Sequence, residues 1–297
     1  MRMAGSARVV ATGFVMVMLI SGCAQRDARR SAEQLAQQAG FTRSDITDSA
    51  GTLASWRHIT PPVTTLRVYI EGDGFAWASR TRPSDDPTPH NPVGLKLALA
   101  DPTRNVLYLA RPCQFVGPPL PAGCQKSAWT DKRFSPELIN AINHSLDQAI
   151  RPWPGVTLEL VGYSGGAAIA AQLAARRSDV ISLRSVAGNL DVAYVNQLHK
   201  VTPMPDAAGA LEVAPQLSHL PQVHYSGEAD NTVPPEVAAR FQRASGSRCV
   251  ITVRVPEMTH GYDWAARWPA LLQDNPLPPA GCATGDVRPL EGEGGTA

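Results

Sequence analysis

The sequence predicts an α/β fold, with a mostly parallel central sheet flanked by helices on both faces and a small cap excursion. Three observations predict it. From Thr65 onwards short apolar runs alternate with helix-length stretches, the rhythm of a parallel sheet covered on both sides. A glycine-rich pentapeptide sits where one such run meets the following helix. At 297 residues the chain suits one large domain with a substantial core better than two small ones.

The expected strands are Leu66–Ile70, Val106–Ala110, Leu158–Val161, Ile181–Ala187, Gln222–Tyr225 and Cys249–Val255. Between them, helices are expected over Pro92–Ala100, Ser135–Ile150, Gly165–Arg177 and Pro234–Ser245. Ser135-Pro136-Glu137 reads as an N-cap with proline at the first helical position. Upstream, Ser31–Gln38 suggests a short helix or tether, and Phe41–Ile59 a hairpin of outer strands turning at Ser49-Ala50-Gly51. Residues 189–220 break the rhythm with several prolines. A connection of that length reads as a cap or substrate-binding excursion over the sheet's carboxyl edge. The spacing of Trp264, Trp268, Leu271 and Leu272 suits a final helix packed on the sheet, and Arg82–Pro87 reads as a solvated loop.

The ends of the chain carry separate information. Arg2 and Arg8 precede an apolar run from Val9 to Ile20, too short to span a bilayer comfortably, as in a secretory signal. The run ends in Ile20-Ser21-Gly22-Cys23, which resembles the bacterial lipobox. That resemblance implies a diacylated Cys23 as the mature N-terminus and a membrane held through this anchor. The expected organisation is a signal peptide over 1–22, a lipidated N-terminus and tether over 23–40, a domain over 41–284 and a disordered tail over 285–297. Ala24, where an aspartate signals inner-membrane retention in enteric bacteria, favours the periplasmic face of the outer membrane. The other cysteines, Cys113, Cys124, Cys249 and Cys282, are even in number and read as disulfides in an exported chain. Three pairings are possible; Cys113–Cys124 and Cys249–Cys282 are favoured. No C-x-x-C spacing suggests a metal site. A net charge of +1 without a basic cluster argues against nucleic acid as a partner.

Gly162-Tyr163-Ser164-Gly165-Gly166 fits G-x-S-x-G. Its place after the Leu158–Val161 strand and before an Ala/Gly-rich helix is that of a nucleophile elbow. A serine hydroxyl needs a base. His260, in the loop after the last strong strand, is the best placed of the seven histidines. His224 lies within a strand and reads as a core residue; His58, His90, His144, His199 and His219 lack comparable placement, though His90 or His199 could line a pocket. The base needs a carboxylate. Asp230, after the Gln222–Tyr225 strand, is the first choice, with Asp191 and Glu228 as rivals. Gly165 N–H is expected to supply one donor of an oxyanion hole, and Asp73 N–H, or failing that Gly74 N–H, the other. Both belong to Glu71-Gly72-Asp73-Gly74, which lacks a P-loop lysine.

These segments, with Asp230-x-x-Val233-Pro234 and Met258-Thr259-His260-Gly261, resemble the α/β-hydrolase superfamily. Tyr69–Gly74 and Ala110–Gln114 further resemble uncharacterised proteobacterial α/β-hydrolase lipoproteins. The similarity covers roughly Thr65 to Leu272, and the order Ser164, Asp230, His260 matches the superfamily's. Glu71 departs from it, since many esterases carry a histidine before the oxyanion loop. The resemblance implies a serine hydrolase that forms an acyl-enzyme, needs no cofactor and cleaves a carboxylic ester, thioester or amide. The substrate would be a small or lipid-like acyl compound. The alternatives are a non-catalytic binding lipoprotein on the same fold and an acyltransferase using the same three residues.

Overall fold

The computed structural model describes residues 27–48, 51–117 and 119–282. Cys23, the Ser49-Ala50 part of the expected turn and the 285–297 tail lie outside these residues. Helix α1 covers residues 27–38. In chain order there follow β1 (Thr42–Arg43), β2 (Ile46–Asp48), β3 (Gly51–Leu53), β4 (Ser55–His58), β5 (Thr65–Ile70), α2 (Val93–Leu99) and β6 (Val106–Leu109). A 3₁₀ turn over Lys126–Trp129 leads to α3 (Pro136–Ile150), β7 (Thr157–Tyr163), α4 (Gly165–Ala174), β8 (Val180–Val186), α5 (Val192–Leu198) and α6 (Ala210–Val213). The chain closes with β9 (Gln222–Gly227), α7 (Glu236–Ser245), β10 (Val250–Val255) and α8 (Trp264–Asp274).

The main sheet runs β1-β4-β6-β5-β7-β8-β9-β10. From β6 to β10 all neighbours are parallel, while β4 joins β6, and β1 joins β4, antiparallel. Strands β2 and β3 form a separate antiparallel hairpin, so the single outer hairpin expected over 41–59 is two nested pairs. The period-2 geometry of each strand divides the core. Leu66, Val68, Ile70, Leu158 and Leu160 pack on one face with residues of α3, α4 and α7. Tyr69, Val161, Tyr163, Val186, Val223 and Tyr225 pack on the other with residues of α1, α2 and α8. Trp264 and Trp268 of α8 are fully enclosed there, and Trp268 Nε1 donates to Tyr69 Oη at 2.6 Å.

Helices α3 and α4 begin as the sequence suggests, with Ser135 Oγ accepting from Leu138 N–H at the start of α3. The 27–38 segment is a docked helix and no free tether: Ala28, Ala32 and Ala36 are buried, Arg29 pairs with Asp86 at 2.6 Å, and Trp56 Nε1 donates to Glu33 at 3.0 Å. The Arg82–Pro87 loop is correspondingly less solvated than expected, since Ser84 and Pro87 are buried. Residues 189–220 fold as α5 and α6, and Ala210, Val213 and Leu217 enter the core. The structure pairs Cys113 with Cys124 and Cys249 with Cys282. No helix among the described residues is long and apolar enough to cross a membrane.

The topology itself creates a crevice. From β5 the chain steps outward to β6, then crosses back to place β7 on the other side of β5. The loops after β5 and β7 therefore leave in opposite directions from adjacent strands, the place where open α/β sheets bind ligands.

His224, in the middle of β9, is fully buried between Ser185 Oγ at 2.8 Å and Gln222 Oε1 at 3.3 Å, edge-on to Phe241. Burial lowers its pKa from 6.5 to about 3. The unfolded chain therefore takes up a proton at acid pH that the folded chain excludes, and stability falls as pH drops from 6.5 towards 3. At pH 5 this one group costs about 2 kcal/mol relative to pH 7. Urea unfolding at the two pH values should show His224→Gln losing less stability on acidification than the wild type. Equal losses would contradict the assignment.

Candidate active site

Ser164 sits immediately after β7, with φ 50° and ψ −123°. A side chain other than glycine costs about 1–3 kcal/mol in such a conformation, so the neighbourhood must enforce it. Three backbone bonds do so: Ser164 N–H donates to Val186 O at 3.1 Å, and Ser164 O accepts from Ala167 N–H at 3.0 Å and from Asn189 N–H at 2.9 Å. The turn also brings main chains into contact that any Cβ would separate. A Cβ on Gly162 would strike the backbone of Gly166 and Ala167, and one on Gly166 would strike the carbonyls of Ile70 and Glu71 at the end of β5. The glycines of the pentapeptide thus let α4 start directly against two strands, aiming the α4 N-terminus and the serine hydroxyl into the crevice.

The expected base and acid arrive from the next loops along the same edge. Ser164 Oγ lies 2.9 Å from His260 Nε2, and His260 Nδ1 lies 2.9 Å from Asp230 Oδ2. The Asp230 side chain is fully enclosed, whereas His260 is about one-fifth exposed. The other oxygen of Asp230 accepts from Thr232 and Val233 N–H, each at 2.8 Å. The His260 loop is fastened to the β9 loop by Ala229 N–H donating to Met258 O at 3.0 Å. Gly227 is required there, because a Cβ would meet that same Met258 carbonyl. Tyr163 Oη donates to the His260 carbonyl at 3.0 Å. Burial, with the charges of Glu71 and Asp230, raises the Tyr163 pKa and keeps its proton.

The rivals are engaged elsewhere. Asp191 caps α5 by accepting from Tyr194 N–H at 3.0 Å and pairs with Arg240 at 2.7 Å, while Glu228 is exposed. His199 lines the cavity described below, its Nε2 2.8 Å from the Thr232 carbonyl. His90 stacks on Phe75 with ring centroids 4.5 Å apart.

The loop after β5 lies against the elbow. A Cβ on Gly72 would be in close contact with Ser164 Cβ, and the Asp73 carboxylate crosses over Gly165, leaving no room for a side chain there. Gly74, at φ 67°, is turned towards Pro87 and Gln114 instead. Among the described residues neither Gly165 N–H nor Asp73 N–H has a hydrogen-bond partner. Position favours Asp73 over Gly74 beside the serine.

Several residues that hold this loop carry no local sequence signal. Glu71 is buried with four donors on its carboxylate: Gly72 N–H at 2.9 Å, Gly94 and Leu95 N–H at 3.1 Å each, and Tyr108 Oη at 2.9 Å. Burial raises its pKa, and these four bonds oppose the rise. Gln114 donates to Gly72 O at 3.1 Å and accepts from Arg111 N–H at 3.0 Å. The Asp73 carboxylate bridges Arg111 Nη1 at 3.1 Å and Arg133 Nε at 2.9 Å. Only the positions of β6, α2 and the 111–133 segment reveal these partners.

A cavity of about 670 Å³ opens beside Ser164. Asp73, Arg133, Asn189 and Thr232 line it, and Val195, Asn196 and the 199–204 segment of the 189–220 excursion form one wall. Among the described residues no cluster of His, Cys, Asp or Glu suits a metal ion. Chemically, the arrangement can deprotonate a serine hydroxyl, stabilise the resulting imidazolium and offer two N–H groups to developing negative charge.

No family model matches the chain, and no curated protein is similar to it. Solved structures do match in shape. An esterase from Pyrococcus furiosus aligns at a TM-score of 0.56 and 13% identity, over 80% of this chain and 93% of that one. An α/β serine hydrolase homologue from Coxiella burnetii aligns at 0.52 and 17%, over 78% and 97%. The esterase domain of a Rhodothermus marinus protein aligns at 0.53 and 11%, over 78% and 94%. The eight-stranded, mostly parallel sheet with helices on both faces is the α/β-hydrolase fold.

Proposed function

We propose that the protein is a serine hydrolase that cleaves a carboxylic ester through an acyl-enzyme, held in the bacterial envelope by a lipid on Cys23. The observation that carries the catalytic part is the chain Ser164 Oγ–His260 Nε2–His260 Nδ1–Asp230, with both links at 2.9 Å, at the mouth of a cavity. Esterases and serine hydrolases among the solved structures of similar shape support the same reading.

In the first half-reaction Ser164 Oγ attacks the ester carbonyl carbon while its proton passes to His260 Nε2. Asp230 fixes the tautomer that leaves Nε2 free and stabilises the imidazolium. The carbonyl oxygen becomes an oxyanion facing Gly165 and Asp73 N–H. His260 then gives its proton to the alkoxy oxygen, the C–O bond breaks and the alcohol leaves. In the second half-reaction His260 takes a proton from water, hydroxide adds to the acyl carbon, and the proton returns to Ser164 Oγ as the acid departs. The Asp73 carboxylate close to the oxyanion site would oppose this charge if it were alone. Arg111 and Arg133, both bound to it, offset that effect.

The anchor rests on Arg2, Arg8, the Val9–Ile20 run and Cys23. Because α1 docks on the domain from residue 27, little free chain would separate the lipid from the folded body, keeping it at the membrane surface.

Hydrolysis of p-nitrophenyl butyrate should fall at least about 10³-fold in Ser164→Ala and in Asp230→Asn, and by less than about threefold in Asp191→Asn. Loss in Asp191→Asn with retention in Asp230→Asn would reverse the acid assignment. Retained turnover in Ser164→Ala would remove the hydrolase reading. Separately, Cys23→Ala should abolish incorporation of labelled palmitate and release the protein from the membrane fraction; unchanged incorporation would refute the anchor.

A further inference from the structure

Helix α1 fixes where the proposed lipid anchor meets the folded body. Just past its end, the Gly40 carbonyl is 3.0 Å from His58 Nδ1, and His58 pairs with Val106 at the start of β6. Midway along it, Glu33 accepts from Trp56, which pairs with Tyr108 further up the same strand. In its first turn, Arg29 pairs with Asp86 of the loop after β5 and lies beside Gly117 of the loop after β6. Helix α1 therefore starts at the carboxyl edge of the sheet, the edge that carries Ser164, Asp230 and His260, and runs to the opposite one. Cys23 is four positions before Asp27, the first residue of α1, so even a fully extended chain keeps its lipid within about 14 Å of that edge. Strand β7, with seven residues, is about 23 Å long. The far edge of the sheet is out of the anchor's reach.

The edge within reach is also where the body is apolar on its outside. Trp77, Leu198, Val201 and Tyr262 are each at least 43% exposed. Trp77 and Val201 line the cavity that holds Ser164, Leu198 ends α5, and Tyr262 follows His260 by two residues. Among the described residues the other large apolar side chains so exposed are Ile181 and Ile251, each the second residue of its strand and so at the far edge. Apolar side chains gathered in this way mark contact with a protein or a membrane, and Trp and Tyr favour the headgroup level of a bilayer. Trp77 opens a tight turn closed by Ala78 N–H donating to Arg82 O at 2.9 Å, with Arg80 and Arg82 exposed at its tip. These two arginines and Lys200 make no ion pair among the described residues and suit lipid phosphates. A lipid tethered within about 14 Å of this rim favours the membrane over a protein as what covers it.

Resting on the lipid-anchor reading, we infer that the edge carrying Ser164 docks on the membrane surface. Trp77, Leu198, Val201 and Tyr262 then sit at headgroup level, and the cavity opens to the lipid–water interface and draws its esters from there. The test places the full-length, lipidated protein in phosphatidylcholine vesicles with or without brominated acyl chains, which quench tryptophan at short range. Trp56, Trp129, Trp264 and Trp268 are buried, and Trp153 is half-buried at the far edge, between α3 and the start of β7. Trp77→Phe should therefore reduce the quenching by bromine at least about threefold, and Trp153→Phe should change it little. Leu198→Glu should slow turnover of p-nitrophenyl palmitate dissolved in the vesicles at least about fivefold, while water-soluble p-nitrophenyl butyrate is hydrolysed within about twofold of the wild-type rate. A lipidated wild type without quenching, or quenching lost in Trp153→Phe and kept in Trp77→Phe, would overturn the inference. So would undiminished turnover of the vesicle-borne ester in Leu198→Glu. Any of these results leaves the anchor and the hydrolase readings standing and the rim free for a protein partner. A wild type that takes up no labelled palmitate would overturn the anchor reading and this inference together. If Leu198→Glu does not fold, the two tryptophan variants decide.

Discussion

The site depends on one constraint, the contact of the Ser164 turn with the end of β5. Gly166 passes so close to the Ile70 and Glu71 carbonyls, and Gly162 so close to Ala167, that no side chain fits at either position. This packing holds Ser164 at positive φ and starts α4 at the crevice. It also sets the distance between the serine and the loop after β5, because that loop leaves from the strand the turn is pressed against. The expected nucleophile and oxyanion donors are thus products of a single close approach between two parallel strands. The strain at Ser164, about 1–3 kcal/mol, is a small fraction of what the mostly buried β5 and β7 and the wholly buried α4 contribute by burial.

Around this contact runs a layer of ionic groups whose function is positional. Glu71 ties the β5 loop to the start of α2 and to Tyr108 of β6, and Asp73 ties it to Arg111 and Arg133. Burying a carboxylate is costly unless donors surround it. Glu71 has four, so the cost is offset by bonds that exist only when three separate elements are in place. Removing one partner of such a network leaves a buried charge uncompensated, which costs far more than the net worth of the network. Loop geometry beside the serine is therefore linked to the assembly of the sheet itself.

Much of this was legible from local pattern. Alternation of apolar runs with helical stretches located β5 to β10 within one or two residues, and Ser135-Pro136 marked the start of α3. Ser164, Asp230 and His260 were readable because each follows a strand of a parallel sheet, and the ends of neighbouring parallel strands share one edge. What was not legible depended on contacts distant in sequence. Glu71 looked like an anomaly before the oxyanion loop until Tyr108 and the α2 amides surrounded it. The docking of α1 depends on buried alanines, whose small size gives no strong periodic signal.

The proposed reaction rests on covalent chemistry at one atom, Ser164 Oγ. The most direct measurement is mass spectrometry of the protein quenched in acid during turnover of an activated ester. A mass increase equal to the acyl group, carried by the peptide containing Ser164 and absent from Ser164→Ala, is the predicted result. Turnover with the adduct on another residue, or turnover undiminished in Ser164→Ala, would contradict this chemistry.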